Sequence, residues 1–164
     1  MPPRAGQQWP PGERDADAHW LGQAVELSRR CPPSQTAFSV GAVLARPDGR
    51  VLATGYSRER DPADHAEEVA LARAAEAGLP GEVLALATLY SSLEPCLRRA
   101  SRPRPCAELI AAAGIGRVVL AWREPPLFVP GGGAEWLRGR GVPVAEISEL
   151  AGRARAVNAH LLGS

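Results

Sequence analysis

Four side chains stand out for the chemistry that their types and spacing allow. They are His65 and Glu67 in 61-DPADHAEEVALARA, and Cys96 and Cys106 in 92-SLEPCLRRASRPRPCAELI. One imidazole and two thiols make a donor set suited to zinc, a borderline-soft ion that takes nitrogen and sulfur ligands at tetrahedral geometry. Three protein ligands leave a fourth position open, the layout of a catalytic rather than a structural site. Water at that position has its pKa pulled towards about 7 and becomes a nucleophile at neutral pH. Glu67, two residues after the histidine, stands beside that water and can carry its proton. Singly, each residue has an ordinary alternative: a helix cap, a free thiol, a solvated helix charge. The joint pattern selects metal chemistry: His-x-Glu, about thirty residues, then Pro-Cys twice.

These residues need elements that bring them together. Both segments open a predicted helix just after a strand or loop. Helix N-termini carry partial positive charge and free N–H groups. Two such ends facing each other lower thiol pKa values and prepare the sulfurs for a metal. Backbone groups at Ala66 and Cys96 are then placed to stabilise a tetrahedral intermediate.

Apolar residues at helical spacing, among them Trp20, Leu21, Ala24, Val25 and Leu27, predict a helix over 15–30, stopped by Cys31-Pro32-Pro33. Strands are predicted over 38–44 and 50–55, joined as an antiparallel hairpin by Pro47-Asp48-Gly49. Further along the chain, helices are predicted over 65–77, 105–113, 134–140 and 148–162, and strands over 83–90, 118–122 and 142–147. Asp61 or Asp64 is a candidate cap for the 65–77 helix. Alternating helices and strands require parallel, right-handed crossovers. The expected fold is therefore an α/β, three-layer α/β/α sandwich around a mixed five-stranded sheet. A Pro- and Gly-rich tail is expected over 1–14 and one domain over 15–164.

His-x-Glu followed by paired Pro-Cys is the zinc-deaminase signature. On it the chain is identified as a member of the cytidine-deaminase superfamily, and the fold is expected to be cytidine-deaminase-like. The long gap between the cysteines resembles that of the riboflavin-biosynthesis deaminases. So do 40-VGAVL, 54-TGYSRERDPADHAEEVAL, 89-LYSSLEPC, 104-RPCAELIAAAGIGRVVLA, 124-EPPLFVPGGG and 151-AGRARAVNAHLL. Over about residues 18–162 the chain resembles the N-terminal deaminase domain of RibD-type enzymes, without the reductase domain that normally follows. The resemblance implies hydrolytic removal of an exocyclic amino group from a pyrimidine-type ring, with an aminopyrimidine ribosyl phosphate as substrate. It implies Zn2+ on His65, Cys96 and Cys106, Glu67 as proton donor, and a homodimer or higher oligomer.

The departures fall on the loops that would contact substrate. Ser-Pro-Asn-Pro of the family is replaced by 35-QTAFS, and Gly-Tyr-His by Gly55-Tyr56-Ser57. Between the cysteines, 97-LRRASRPRP is one residue longer than the family's stretch, and only Arg102 and Pro105 match it. Cytidine, deoxycytidylate or another nucleobase compound, including one of secondary metabolism, therefore stays open as substrate. Arg98, Arg99, Arg102 and Arg104 read either as a phosphate clamp, with Arg98 and Arg102 its candidates, or as a solvated loop. Phe38 reads as a stacking partner for the ring or as a strand start. Gly131-Gly132-Gly133 reads as a phosphate nest or as the tight turn opening the next helix. Cys31 is expected to be a free thiol, and His19 and His160 to be surface residues.

Composition narrows the partners. A net charge of +1 and 5% aromatic residues argue against a nucleic-acid surface, which wants a basic stripe with exposed rings. Three cysteines do not make a disulfide framework, and no apolar run is long enough to span a membrane. The first residues lack the apolar stretch of a signal peptide, so the expected location is cytoplasmic and the expected partner a small molecule. A purely structural zinc module would want a fourth Cys or His near the others, and none is evident.

Overall fold

Five short strands form one mixed sheet in the computed structural model, which describes residues 13–163. The chain runs α1 (Glu13–Ser28), β1 (Gly41–Ala45), β2 (Val51–Tyr56), α2 (Ala66–Glu76), α3 (Gly81–Leu84), β3 (Thr88–Ser91), α4 (Cys106–Ala113), β4 (Arg117–Leu120), α5 (Gly133–Gly139), β5 (Val144–Glu146) and α6 (Ala151–Val157). The sheet order is β2-β1-β3-β4-β5. β1 pairs antiparallel with β2 and β3, whereas β3–β4 and β4–β5 are parallel. The predicted hairpin and helical crossovers are thus both present.

Opposite faces of the sheet carry different helices. A Cβ on Gly41 would meet Ala24 O of α1 at 1.9 Å, and one on Gly55 would meet Ala66 O of α2 at 2.4 Å. Gly55 pairs with Ala42, the neighbour of Gly41, so the two glycines point to opposite sides of the pleat. α1 and α6 cover one face, and α2, α4 and α5 the other. Leu44, Leu89, Val118, Val119 and Leu120, fully or almost fully buried, fill the core between Leu21 and Val25 of α1 and Ala70 and Ala74 of α2. Across the first layer, Asp17 on α1 accepts hydrogen bonds from Tyr90 Oη at 2.6 Å and from Arg117 Nη1 at 2.8 Å.

Several boundaries differ from the sequence reading, each for a physical reason. Residues 81–84 are helical rather than extended, because Pro80 sits in the N-cap position with φ −72° and the Ala85 N–H closes back on Gly81 O. β1 begins at Gly41 rather than at residue 38. The amides of Ser39 and Val40 donate to side chains, Asn158 Oδ1 and Ser57 Oγ, instead of joining the ladder. The last helix is broken by Asn158, whose amide nitrogen donates to Ala154 O and Ser39 O. α1 starts at Glu13, inside the expected tail; the rest of that tail lies outside the described residues.

Candidate metal centre and active-site pocket

His65 ends an extended loop and occupies the N-cap of α2, with φ −97° and ψ 152°. Its own N–H donates to the Glu68 carboxylate at 3.2 Å, half of a capping box. Neither Asp61 nor Asp64 is the cap, contrary to expectation. Asp64 instead turns back and accepts from the Arg60 and Asp61 amides, both at 2.9 Å, bracing the loop that delivers the histidine. Close approach at Gly55 lets the first turn of α2 lie directly on the sheet, which fixes how far His65 and Glu67 reach.

Cys106 is the first residue of α4, behind Pro105 at the N-cap, and Cys96 lies in the segment after β3. The Cys106 N–H donates to Cys96 Sγ at 3.3 Å, as a free first-turn donor should. His65 Nδ1 lies 3.5 Å from each sulfur. All three donor atoms are within 4.8 Å of one another, the one such group among the described residues. Hydrogen bonding across the pair and the nearby imidazole hold the Cys96 thiol well below its ordinary range, while sharing that bond with Cys96 and complete burial push Cys106 up. The Cys106 N–H is a donor that favours the thiolate form at Cys96.

Glu67, 3% exposed, points into the same space, and burial pushes its carboxyl pKa up. Ser91 Oγ lies 2.7 Å from Glu67 Oε1 and 2.7 Å from Leu93 O, orienting the acid from β3. Sequence reasoning missed Ser91, since a serine in a buried strand carries no motif.

A cavity of about 420 Å³ opens over His65, Glu67 and Cys96. Phe38 forms part of its wall, packed edge-to-face against Trp122 at 5.4 Å and Phe128 at 5.1 Å. Glu124 lines it too, its carboxyl pushed up to about 8 by burial and then by the negative groups nearby. Ala66 is fully buried at the start of α2, where only its backbone can serve the site.

The loop arginines divide. Arg98 is exposed at the cavity rim, and Arg99 is enclosed in its wall. Arg102 does not line the cavity. Its guanidinium is held by Asp61 at 3.1 Å and Asp64 at 3.2 Å, with Glu68 at 3.6 Å, so the expected clamp role does not fit its placement. Arg104 is exposed and faces Glu108. The glycine run leads into α5, with Gly132 as its N-cap and Gly133 as its first residue. Glu94, buried and unforeseen, accepts from Ala134 N at 2.9 Å and Glu124 N at 3.0 Å, filling the start of α5 with a carboxylate. Cys31 is a half-buried free thiol, and His19 and His160 are exposed, as expected. Among the described residues no helix is long and apolar enough to cross a membrane.

This arrangement of one imidazole, two sulfurs and a buried acid agrees with comparison to known proteins. Residues 14–122 match the family model for the cytidine and deoxycytidylate deaminase zinc-binding region. The chain belongs to this deaminase family. Among its relatives is diaminohydroxyphosphoribosylamino-pyrimidine deaminase of Schizosaccharomyces pombe, 38% identical over 127 residues, which are 77% of this chain and 31% of that one. The riboflavin biosynthesis protein RibD of Aquifex aeolicus is 36% identical over 135 residues, covering 80% of this chain and 35% of RibD. The chain thus spans about a third of the length of the curated relatives it matches. The crystal structure of the Thermotoga maritima deaminase/reductase superposes with a TM-score of 0.71 at 32% identity, over 87% of this chain and 39% of that one. Rib2 deaminase of Aspergillus oryzae, solved in complex with DARIPP, superposes with a TM-score of 0.69 at 25% identity, covering 91% of this chain and 100% of that one. The fold is cytidine-deaminase-like.

Proposed function

We propose that this chain is a zinc-dependent hydrolytic deaminase that replaces the exocyclic amino group of a pyrimidine-type ring by oxygen, acting on a RibD-like aminopyrimidine ribosyl phosphate. The observation that carries the reading is the convergence of His65 Nδ1 and the Cys96 and Cys106 sulfurs within 4.8 Å, beside the buried Glu67. The donor set fits zinc in type and number, and the Cys106 N–H supports a thiolate at Cys96. Zinc held by these three residues supplies Lewis acidity that brings the pKa of water to about 7.

The chain's own groups do the rest. Glu67 takes one proton from water and passes it to the ring nitrogen beside the carbon under attack. It then moves the second proton of that water to the amine. The C–N bond breaks, ammonia leaves, and the ring carbon keeps the oxygen as a carbonyl. A carboxyl raised by burial suits a group that must both accept and return a proton near neutral pH. Ser91 keeps it aimed. First-turn N–H groups at Ala66, and the backbone at Cys96, favour the negative charge that develops on oxygen. Phe38, held by two aromatic neighbours, provides a rigid wall for the ring. The family model also covers cytidine and deoxycytidylate deaminases, so their substrates belong in the same assay.

The test is ammonia release from a panel of aminopyrimidine ribosyl phosphates, cytidine and deoxycytidylate, with wild type and Glu67→Gln compared. Glu67→Gln should fold and keep its zinc, while turnover falls by about 10² to 10⁴, the share of a positioned acid–base. Near-normal turnover in a folded, zinc-loaded Glu67→Gln would remove the assigned base. Zinc loss would make the residue structural.

A further inference from the structure

Three arginines, Arg58, Arg98 and Arg99, line the cavity, and they differ in how far the chain already occupies them. Arg58 has four of its five N–H donors engaged within the chain. Its Nη1 donates to Phe38 O at 3.1 Å, its Nη2 to Pro32 O and Ser39 Oγ at 2.8 Å, and its Nε to Pro32 O at 3.1 Å. Arg99 is different. Its side chain is 2% exposed, and its Nη2 donates to Ala63 O at 2.7 Å and lies 3.3 Å from Glu68 and Ser101. Its Nη1, like the Nε of Arg102, is buried with no hydrogen-bond partner among the described residues. A buried guanidinium nitrogen without an acceptor is costly, and of these two arginines Arg99 lines the cavity and Arg102 does not. Arg98, the next residue, is exposed at the rim and has no ion pair among the described residues. The remaining charged groups of the lining, His65 aside, are the carboxylates of Asp64, Glu67, Glu94 and Glu124. The lining cations other than His65 are therefore Arg58, Arg98 and Arg99, and only the last two stand side by side.

We infer that Arg98 and Arg99, and not Arg102, form the anion subsite of this pocket and take the phosphate monoester end of the substrate. This rests on the deaminase reading for what enters the cavity. A phosphate accepts from several donors at once, which matches the two adjacent guanidiniums. Nη1 of Arg99 then gains the acceptor it lacks, while Arg98 meets the anion from solvent. Arg102 is a strut: its bonds to Asp61 and Asp64 tie the inter-cysteine loop to the loop that delivers His65.

The test is calorimetric binding of ribose 5-phosphate and of ribose to the zinc-loaded chain, a readout independent of turnover. Wild type should bind the phosphate ester more tightly. Arg98→Ala and Arg99→Gln should each weaken ribose 5-phosphate by about tenfold or more, the loss of a charge-assisted contact, and leave ribose unchanged. Arg102→Gln should keep the preference. Equal binding of the two sugars by wild type overturns the assignment. So does loss of the preference in Arg102→Gln while Arg98→Ala retains it. If Arg99→Gln fails to fold, Arg98→Ala, at an exposed position, decides alone. Failure of the deaminase reading shows separately, as no ammonia from any amine of the panel, and leaves this result standing.

Discussion

Cys106 sits fully enclosed at the start of α4, where its sulfur has His65 and Cys96 as neighbours. Without it only two donors remain, too few to hold a catalytic zinc. Cys106→Ala should therefore carry well under one zinc per chain where wild type carries about one. Metal analysis of dialysed protein decides this, and a full equivalent in the variant would remove Cys106 from the ligand set. Glu124 invites a different measurement. Burial, the larger cause, raises its carboxyl from 4.5 to about 8, and burial persists whether or not a metal is bound. A carboxyl whose folded pKa is the higher one stabilises the fold through its protonated form. That contribution is complete below pH 4.5 and is lost as pH rises through about 8. Glu124→Gln, which cannot ionise, should thus gain in melting temperature over wild type between those values and level off above them. A difference that stays flat with pH would show that Glu124 titrates normally.

At the scale of elements, the site depends on how closely α5 approaches the segment carrying Cys96. A Cβ on Gly133 would stand 1.8 Å from Pro95 O, a backbone atom one residue before the ligand. Gly133→Ala must push the helix or the ligand segment aside, at about 1–3 kcal/mol, the usual penalty of overpacking. Urea unfolding should show that loss, and zinc affinity should fall with it because Pro95 moves Cys96. Unchanged stability and zinc affinity would mean that α5 sits loosely. The same start of α5 is closed by Glu94, which accepts from Glu124 and Ala134 amides. That carboxylate supplies negative charge at the helix start from within the chain.

For the molecule as a whole, the two helix layers must be held on the sheet. Apolar burial does most of this without direction, but Asp17 adds a directed clamp from α1 across β3 and β4. It is 1% exposed and bonded to both Tyr90 and Arg117, and burial with that carboxylate acceptor pushes the Tyr90 hydroxyl pKa upward. Removing one partner of a buried pair strands the other. Asp17→Ala should lower stability by about 3–5 kcal/mol, while the folded fraction keeps its zinc, since the clamp lies outside the metal centre. A loss below about 1 kcal/mol would place the pair among ordinary surface bridges.

The grouping of His65, Cys96 and Cys106 beside Glu67 was legible in the sequence because coordination chemistry depends on residue type and local spacing. His65 and Glu67 share one helical turn, and each cysteine follows a proline. The five strands and their crossovers were legible through apolar periodicity and turn residues. What only the tertiary structure decided are pairings between distant residues, which no local pattern encodes. Ser91 meets Glu67 across 24 positions, Glu94 meets Ala134 across 40, and Arg117 meets Asp17 across 100. The four arginines between the cysteines show the difference most plainly. In the sequence they are four like charges on one loop, of which Arg98 and Arg102 read as clamp candidates. Packing that loop against the start of α2 puts Asp61 and Asp64 within reach of Arg102, encloses Arg99 and leaves Arg98 at the rim. Which charge meets a partner and which stays available is set by proximity in space, because Coulomb attraction and hydrogen bonding act over a few ångströms and take no account of chain position.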